Sequence, residues 1–547
     1  MLSIGLLLLS LCTPGAHEAG LATLRKEDLA RHVGILAAPE REGRDSPSQG
    51  LEEAAAYISE VFAQAGVEPL SDSVEFWKAN SKRDLVPVPR AGALSASQTA
   101  QAGTFLRPFS RRLPKADESA CYLRLDPGSG APRSFEYGKD FVALPHCTGE
   151  VAGELVFVGF GIDSRSEGYL ELQGLKLDGK IAVLVEGEPR HAKRFGGMEV
   201  TEEAALWKKL RDLREARAAG ALLVRRSYGP PDGSKHVPGT EAARFDAPGL
   251  RMRHTFADWV GVAPDQRPRE TLPALELSEA CASELLGFDV AAWAAKTDKA
   301  PKVNRPKLEK RRVLLNGKVS EGEVEIDNVV GRISGSDPAL AEEWVVIGAH
   351  YDHIGVDVRG RVGYGADDNG SGTSALLELA EALSASRPRR SVLLCAFAGE
   401  EDGLLGSRAL TQRLPVPAQK LVAMINMDMI GRGDAAEVAV IGITQNPTLE
   451  KVLDRARKLS PTGIQKLILR QGEELFARSD HHSFHQIGVP VLFFFEGLPI
   501  ERNTDYHTWR DTIDKLDAEK IRRTSILVYN TTWLLANDDE RPPPPRE

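Results

Sequence analysis

The chain has 547 residues, 42% hydrophobic and 27% charged, a balance ordinary for soluble globular proteins. That length exceeds one ordinary core, so two or three domains are expected. A formal net charge of −9 with no basic stripe argues against a nucleic-acid partner, because it offers no phosphate footprint.

The N-terminus opens on Leu2–Cys12, a short apolar run followed by Thr13-Pro-Gly-Ala16. It is too short to span a bilayer and resembles a secretory signal, although no Lys or Arg precedes it. Export to a periplasmic or extracellular space is therefore expected, with residues 1–19 as the signal. A lipid anchor at Cys12 is the lesser reading. No later segment is long and apolar enough to cross a membrane.

Leu24–Ala37 and Leu51–Ala65 read as amphipathic helices flanking the polar loop Arg41-Glu-Gly-Arg-Asp-Ser-Pro47. The stretch from Lys78 to Arg133 mixes Pro, Ser and basic residues without a clear period. From Cys147 a second unit begins, with strands at Glu154–Val158 and Lys180–Val185. A charged helix over Glu202–Ala219 stops at Gly220, and a strand follows at Ala221–Val224. Gly229–Asp265 is loop-like, and Leu277–Leu286 reads as a helix closing the unit. Lys299–Arg312 is a plausible return linker. From there strands and helices alternate: strands at Glu323–Ile333, Trp344–Ile347, Val392–Phe397, Leu421–Met427, Glu437–Ile443 and Val489–Phe495, and helices at Thr373–Ser384, Leu449–Leu459 and Ala518–Leu535. The tail Arg541-Pro-Pro-Pro-Pro-Arg-Glu547 is too polar to build a core and is expected to be disordered. The five cysteines make no CxxC pair and no zinc-finger spacing. Cys395 falls within a strand as a buried thiol, and Cys121 and Cys147 are possible disulfide partners.

Apolar runs followed by helices predict a largely parallel sheet whose strand ends form a ligand crevice. Five short motifs fall at or near such ends: Ala349-His-Tyr-Asp-His353, Gly365-Ala-Asp-Asp-Asn369, Gly399-Glu-Glu401, Asn426-Met-Asp428 and Tyr506-His-Thr508. A lone His or Asp there is commonly a capped structural residue, and a Glu pair is commonly a helix start. Five together, all rich in His, Asp and Glu, are a metal-site pattern.

Their order resembles that of the co-catalytic di-zinc exopeptidases, which include bacterial secreted aminopeptidases and glutamate carboxypeptidase. The resemblance implies a three-layer α/β/α fold with a mostly parallel central sheet. Gly168-Tyr-Leu-Glu-Leu-Gln-Gly-Leu-Lys-Leu-Asp-Gly-Lys-Ile181 resembles the protease-associated domain, which implies a β-rich insertion over residues 146–300. Residues 20–145 would then be the N-terminal part of the peptidase unit with a connecting segment, 301–537 its main part and 538–547 the tail. Carried onto this sequence, the resemblance implies two zinc ions. One would be held by His350 and Asp428, the other by Glu401 and His507, with Asp367 bridging both and a cis peptide after that bridge.

Residue chemistry agrees with this set. Three carboxylates and two neutral imidazoles leave two divalent ions a residual positive charge that acidifies a bridging water. Glu400, adjacent to a ligand, is expected to be the general base. Asp352 is expected to accept the second N–H of His350, and Tyr506 to donate to an oxyanion. His353 is expected to be structural. The cluster Ser479-Asp-His-His-Ser-Phe-His485 places His481 and His485 on one helix face, where pocket-wall roles are expected.

The expected activity is release of N-terminal residues from peptides, the substrate amine being held near Glu400 and Asp428. A carboxypeptidase of the same fold would need an arginine cluster, and no clear cluster falls among the motifs, although Arg432, Arg478 and Arg510 lie near. A glutaminyl cyclase would need only one zinc. An inactive binding module would usually lack a ligand or the base, and here every position is filled.

Overall fold

The Val-, Ile- and Leu-rich runs after residue 319 pair into one sheet. The computed structural model describes residues 15–70, 77–79, 85–87, 104–126, 132–191, 193–195, 201–226, 272–356, 361–498 and 502–545. The loop 229–265 and residues 1–14 of the expected signal thus fall outside the described residues, whereas the last residues of that signal lie in helix Ala16–Leu21, where His17 is buried 2.9 Å from Asn530 Oδ1.

Two compact units emerge, one of Met1–Arg111, Glu325–Gly355 and Val362–Glu547, the other of Arg112–Val324 with Val356–Arg361. In the first, strands run in the order Glu68–Pro69, Val319–Ile333, Ser391–Phe397, Trp344–His350, Leu421–Met427, Val491–Phe495, Glu437–Ile441, Lys466–Leu469, and Leu106–Ala116 also pairs with the second of these. The four central strands are mutually parallel, and the flanking pairings of Val319–Ile333 and Glu437–Ile441 onto them are antiparallel. Parallel strands of this kind are buried on both faces, which accounts for their unbroken apolar runs.

Side chains alternate between two cores, as the period of two requires. Val345, Ile347, Val392, Leu394 and Ile425 pack with Leu29, Val33, Ile58, Leu376 and Leu527 of helices Lys26–Leu36, Gln49–Gln64, Gly372–Ser386 and Ala518–Asn537. Val346, Leu393, Cys395 and Met424 face the other way, toward Leu410 and Phe484 of helices Leu405–Gln412 and His481–Gln486. The result is three layers.

The second unit has its own eight-stranded sheet, ordered Arg133–Ser134, Tyr122–Asp126, Arg312–Gly317, Gly149–Phe157, Ile181–Val185, Gly220–Val224, Ala274–Leu277, Phe141–Ala143. It is wider than residues 146–300. Tyr122–Asp126 and Arg312–Gly317 pair with each other inside this sheet, the second of them starting at the last residue of the expected linker Lys299–Arg312. The helix expected over Glu202–Ala219 divides into a short turn at Glu202–Ala204 and an α-helix at Leu206–Glu215. A further helix, Val290–Lys299, starts where Asp289 caps the N–H of Ala292. Cys121 and Cys147 are free thiols rather than a disulfide.

The polar tail is tethered at its first residue: Arg541 donates to the carbonyl of Leu421 at 2.9 Å.

Candidate metal centre

The C-terminal ends of the parallel strands deliver the motif residues. His350 ends strand Trp344–His350, Glu400 and Glu401 follow Ser391–Phe397, and Asp428 follows Leu421–Met427. The Gly365–Asn369 loop folds over them. Gly365 is required there: its φ is +57°, and a Cβ would lie 2.3 Å from the Asp368 carbonyl and 2.6 Å from the His353 ring. Asn369 ties this loop to the neighbouring strand end, its Nδ2 donating to the Met427 carbonyl (2.9 Å) and its Oδ1 accepting from Met429 N (3.2 Å). Thr373 adds a bond to the His350 carbonyl at 2.6 Å.

The two adjacent aspartates of this loop part company. The Asp368 carboxylate reaches into the centre, with Oδ1 3.3 Å from His350 Nε2 and Oδ2 3.1 Å from His507 Nε2. Asp367 turns away. Its Oδ1 accepts the Gly431 N–H at 2.8 Å, and burial, with Glu496 beside it, drives its carboxyl well above the ordinary range. The place in the centre expected of Asp367 is thus taken by Asp368, and the cis peptide lies at Asp368–Asn369 rather than one bond earlier.

Around Asp368 two groups of potential ligands form, His350 with Asp428 on one side and His353 with Glu401 on the other. Asp428 Oδ1 stands 3.2 Å from His350 Nε2, and Ser479 Oγ donates to its Oδ2 at 2.8 Å. Glu401 Oε2 lies 2.9 Å from His507 Nε2, and Oε1 lies 2.8 Å from His353 Nδ1. His353, expected to be structural, thus joins the second group alongside His507.

These residues fit a pair of cations. Asp368, Glu400, Glu401 and Asp428 have side chains no more than 10% exposed, so four carboxylates share one buried space. Such an arrangement demands positive charge. His507 Nε2 approaches two carboxylates, yet it meets neither with hydrogen-bond geometry. Lone pairs aimed at a common point, rather than at one another, are what metal ligands require. Mixed nitrogen and oxygen donors without cysteine suit a catalytic divalent ion.

Charge within the group is tightly linked. Burial alone pushes Glu400 up, the positive His350 works against that, and Asp428 and Glu401 add to it, leaving the Glu400 carboxyl well above its usual range. Burial opposes the charged forms of Glu401 and His507, yet their contact holds the carboxyl down to about 2 and the imidazole up to about 11.

Asp352 is completely buried beside His350, but its role differs from the expected one. The second ring nitrogen of His350 bonds to the Asp352 main-chain carbonyl at 3.2 Å, while the carboxylate Oδ1 is 3.6 Å away. The carboxylate instead accepts the backbone N–H groups of Glu400 (3.2 Å) and Glu401 (3.3 Å). It fixes the turn that presents the Glu pair.

Tyr506 stacks on His507 with ring centroids 3.9 Å apart and accepts a bond from Arg478 Nη2 at 3.2 Å. Its own O–H remains to donate. Beside it opens a cleft with Asp368, Glu400, Glu401 and Asp428 at its acidic side and Met429, Leu475, Phe493 and Phe495 at its apolar side. His481 stacks on Phe493 at 4.7 Å between centroids, and burial pulls its pKa down to about 3. His485 packs on Phe476. Neither belongs to a ligand group.

Two supports lay beyond sequence reasoning. Asp511 accepts the backbone N–H of both Asp367 and Asp368 at 3.0 Å. Arg44 is completely buried and donates to the carbonyls of Tyr351, Leu36, Tyr364 and Gly365 at 2.5–2.9 Å. An isolated Arg in a polar loop and an Asp three residues past a motif carry no periodic signal.

Residues 328–532 match the sequence pattern of peptidase family M28. A probable leucine aminopeptidase of Arthroderma otae is 34% identical over 205 residues, covering 36% of this chain and 56% of that protein. Aminopeptidase YwaD of Bacillus subtilis is 31% identical over 205 residues, 36% of this chain and 42% of that protein. The chain thus spans about half the length of these relatives. Among solved structures, BSAP, a zinc aminopeptidase from Bacillus subtilis, aligns over 94% of this chain and 96% of its own at 16% identity, with a TM-score of 0.48.

Proposed function

We propose that this chain, whose residues 328–532 match peptidase family M28, is a zinc-dependent aminopeptidase that removes N-terminal residues from peptides. The observation that carries the reading is the convergence of His350, Asp428, Glu401 and His507 on the Asp368 carboxylate, with Glu400 beside them. Two bound zinc ions would polarise the scissile carbonyl and acidify the attacking water.

The chain's own groups supply the rest. Glu400 takes the water proton and returns it to the leaving amine, a role suited to a carboxyl raised by burial. Asp352 holds Glu400 in place through its main-chain N–H. Tyr506 turns its O–H toward the developing oxyanion. Asp428 and Glu400 offer negative charge to a free α-amine, and Met429, Leu475, Phe493 and Phe495 receive an apolar side chain.

Carboxypeptidase polarity is disfavoured by the fate of the nearby arginines. Arg432 and Arg510 both bind Asp505, at 2.9 and 3.0 Å, which among the described residues leaves Arg478 as a single arginine lining the cleft, not the cluster that polarity needs. The filled ligand set disfavours an inert binding module.

The sequence of the second unit supports a protease-associated domain that shapes access or partner contact. The apolar run Leu2–Cys12 supports export, and among the described residues no helix is long and apolar enough to cross a membrane.

The test is a pair of substrates, Leu-Ala-Ala and its N-acetylated form. Release of free leucine from the first alone is expected. Cleavage of the acetylated peptide at its free C-terminus would overturn the polarity.

A further inference from the structure

Three arginines lie near the cleft, and they differ in what they touch. Asp505 takes Arg432 and Arg510 together with Lys515, at 2.9, 3.0 and 2.8 Å. Arg478 lines the cleft itself. It is exposed, and among the described residues its guanidinium meets no carboxylate; its polar partner is the neutral phenol of Tyr506 at 3.2 Å. One N–H is used in that bond, which leaves most of a five-donor fork facing the opening.

The position of this cation is set by Tyr506. That ring stacks face to face on His507, centroids 3.9 Å apart, and meets Arg478 through its hydroxyl. The guanidinium carbon therefore stands 5.9 Å from the centroid of the ring that covers an imidazole of the candidate metal centre. An extended peptide advances about 3.3–3.6 Å per residue, so a chain whose scissile bond lies at that centre reaches Arg478 one or two residues later. Among the described residues, every other charged group lining the cleft is acidic: Asp368, Glu400, Glu401 and Asp428. A fork-shaped cation facing a substrate path matches a carboxylate.

We propose that Arg478 anchors a substrate carboxylate one or two residues beyond the scissile bond, so that the cleft selects short peptides ending there or peptides acidic at that position. The inference rests on the aminopeptidase reading. It adds a substrate class: di- and tripeptides with an apolar first residue and a free C-terminus, or longer peptides carrying Asp or Glu in the second or third place.

The experiment compares kcat/KM for Leu-Ala and Leu-Ala-Ala with their C-terminal amides, and for Leu-Glu-amide with Leu-Gln-amide, in the zinc-loaded wild type and in Arg478→Gln and Arg478→Lys. The wild type is expected to favour a carboxylate partner by about tenfold, expressed mainly in KM. Arg478→Gln should bring that ratio close to one, and Arg478→Lys should keep part of it. Discrimination in the first two pairs assigns the anchor to a chain terminus, and in the third to an acidic side chain. A wild-type ratio near one in every pair, or a ratio that Arg478→Gln leaves intact, overturns the anchor while turnover of the amides upholds the aminopeptidase. Equal losses on both members of each pair would place Arg478 behind Tyr506 instead, again overturning the anchor. Wild-type enzyme that cleaves none of these peptides overturns the aminopeptidase reading and the anchor with it.

Discussion

The Asp352 carboxylate accepts the backbone N–H of Glu400 at 3.2 Å, from within a completely buried position. It binds Glu401 N in the same way, so one side chain sets the direction of two neighbouring carboxylates with separate tasks. Asp352→Asn replaces one acceptor oxygen with a donor facing an N–H group. A loss of about 10- to 100-fold in activity or metal affinity is expected, the scale for groups that orient ligands. Zinc titration and steady-state kinetics on the same preparation would measure both.

Glu400 separates chemistry from binding. Its carboxylate lies 3.9 Å from His350 Nε2 and lines the cleft beside the ligand groups. Glu400→Gln should leave two zinc ions bound and lower kcat by about 10²–10⁴-fold. Kinetics on Leu-Ala-Ala with elemental analysis of the variant checks this. Unchanged kcat would remove Glu400 from the base role.

Arg44 carries stability rather than chemistry. Its four bonds to main-chain carbonyls join the ends of helix Lys26–Leu36 and strand Trp344–His350 to the loop before Asp368. Arg44→Met leaves those buried acceptors without partners. A loss of about 3–5 kcal/mol is expected in urea unfolding. Weaker zinc retention should accompany it, because Gly365 loses its tether.

The second unit has a pH dependence of its own. Glu171 is completely buried and accepts the N–H groups of Phe160 (2.9 Å) and Ile162 (3.1 Å). Burial pushes its carboxyl up to about 7, against an ordinary 4.5. The folded state therefore holds this proton over a range in which the unfolded chain has released it. The contribution to stability is full below about 4.5 and is lost as pH rises through about 7. Glu171→Gln keeps an acceptor oxygen but cannot titrate. Urea midpoints at pH 5 and pH 7.5 should differ less in this variant than in the wild type.

Much of the architecture was written in periodicity. Unbroken runs such as Val392–Phe397 announced buried parallel strands, and both cores are populated by alternate residues of those runs. Local chemistry at Asp367 and Asp368 was not legible. Two identical side chains in succession satisfy the same motif, and only the turn imposed by Gly365 and Asn369 decides which one faces the centre. The place of His353 is hidden for a related reason: its proximity to Glu401 depends on the loop's path, which no spacing encodes. Arg44 and Asp511 act through main-chain carbonyls and N–H groups, and such partners leave no trace in residue types. Sequence alone does not mark the limits of the second unit, because Arg312–Gly317 follows the basic run Lys299–Arg312 and one of its sheet partners is almost two hundred positions earlier.

The central claim is that Asp368, and not Asp367, joins two cations in one site. Elemental analysis of zinc-loaded, dialysed protein tests it most directly, applied to the wild type, Asp368→Asn and Asp367→Asn. Two zinc ions per chain are predicted for the wild type and for Asp367→Asn, and almost none for Asp368→Asn. A wild type holding fewer than two, or an Asp368→Asn variant that keeps both while Asp367→Asn loses them, would contradict the account.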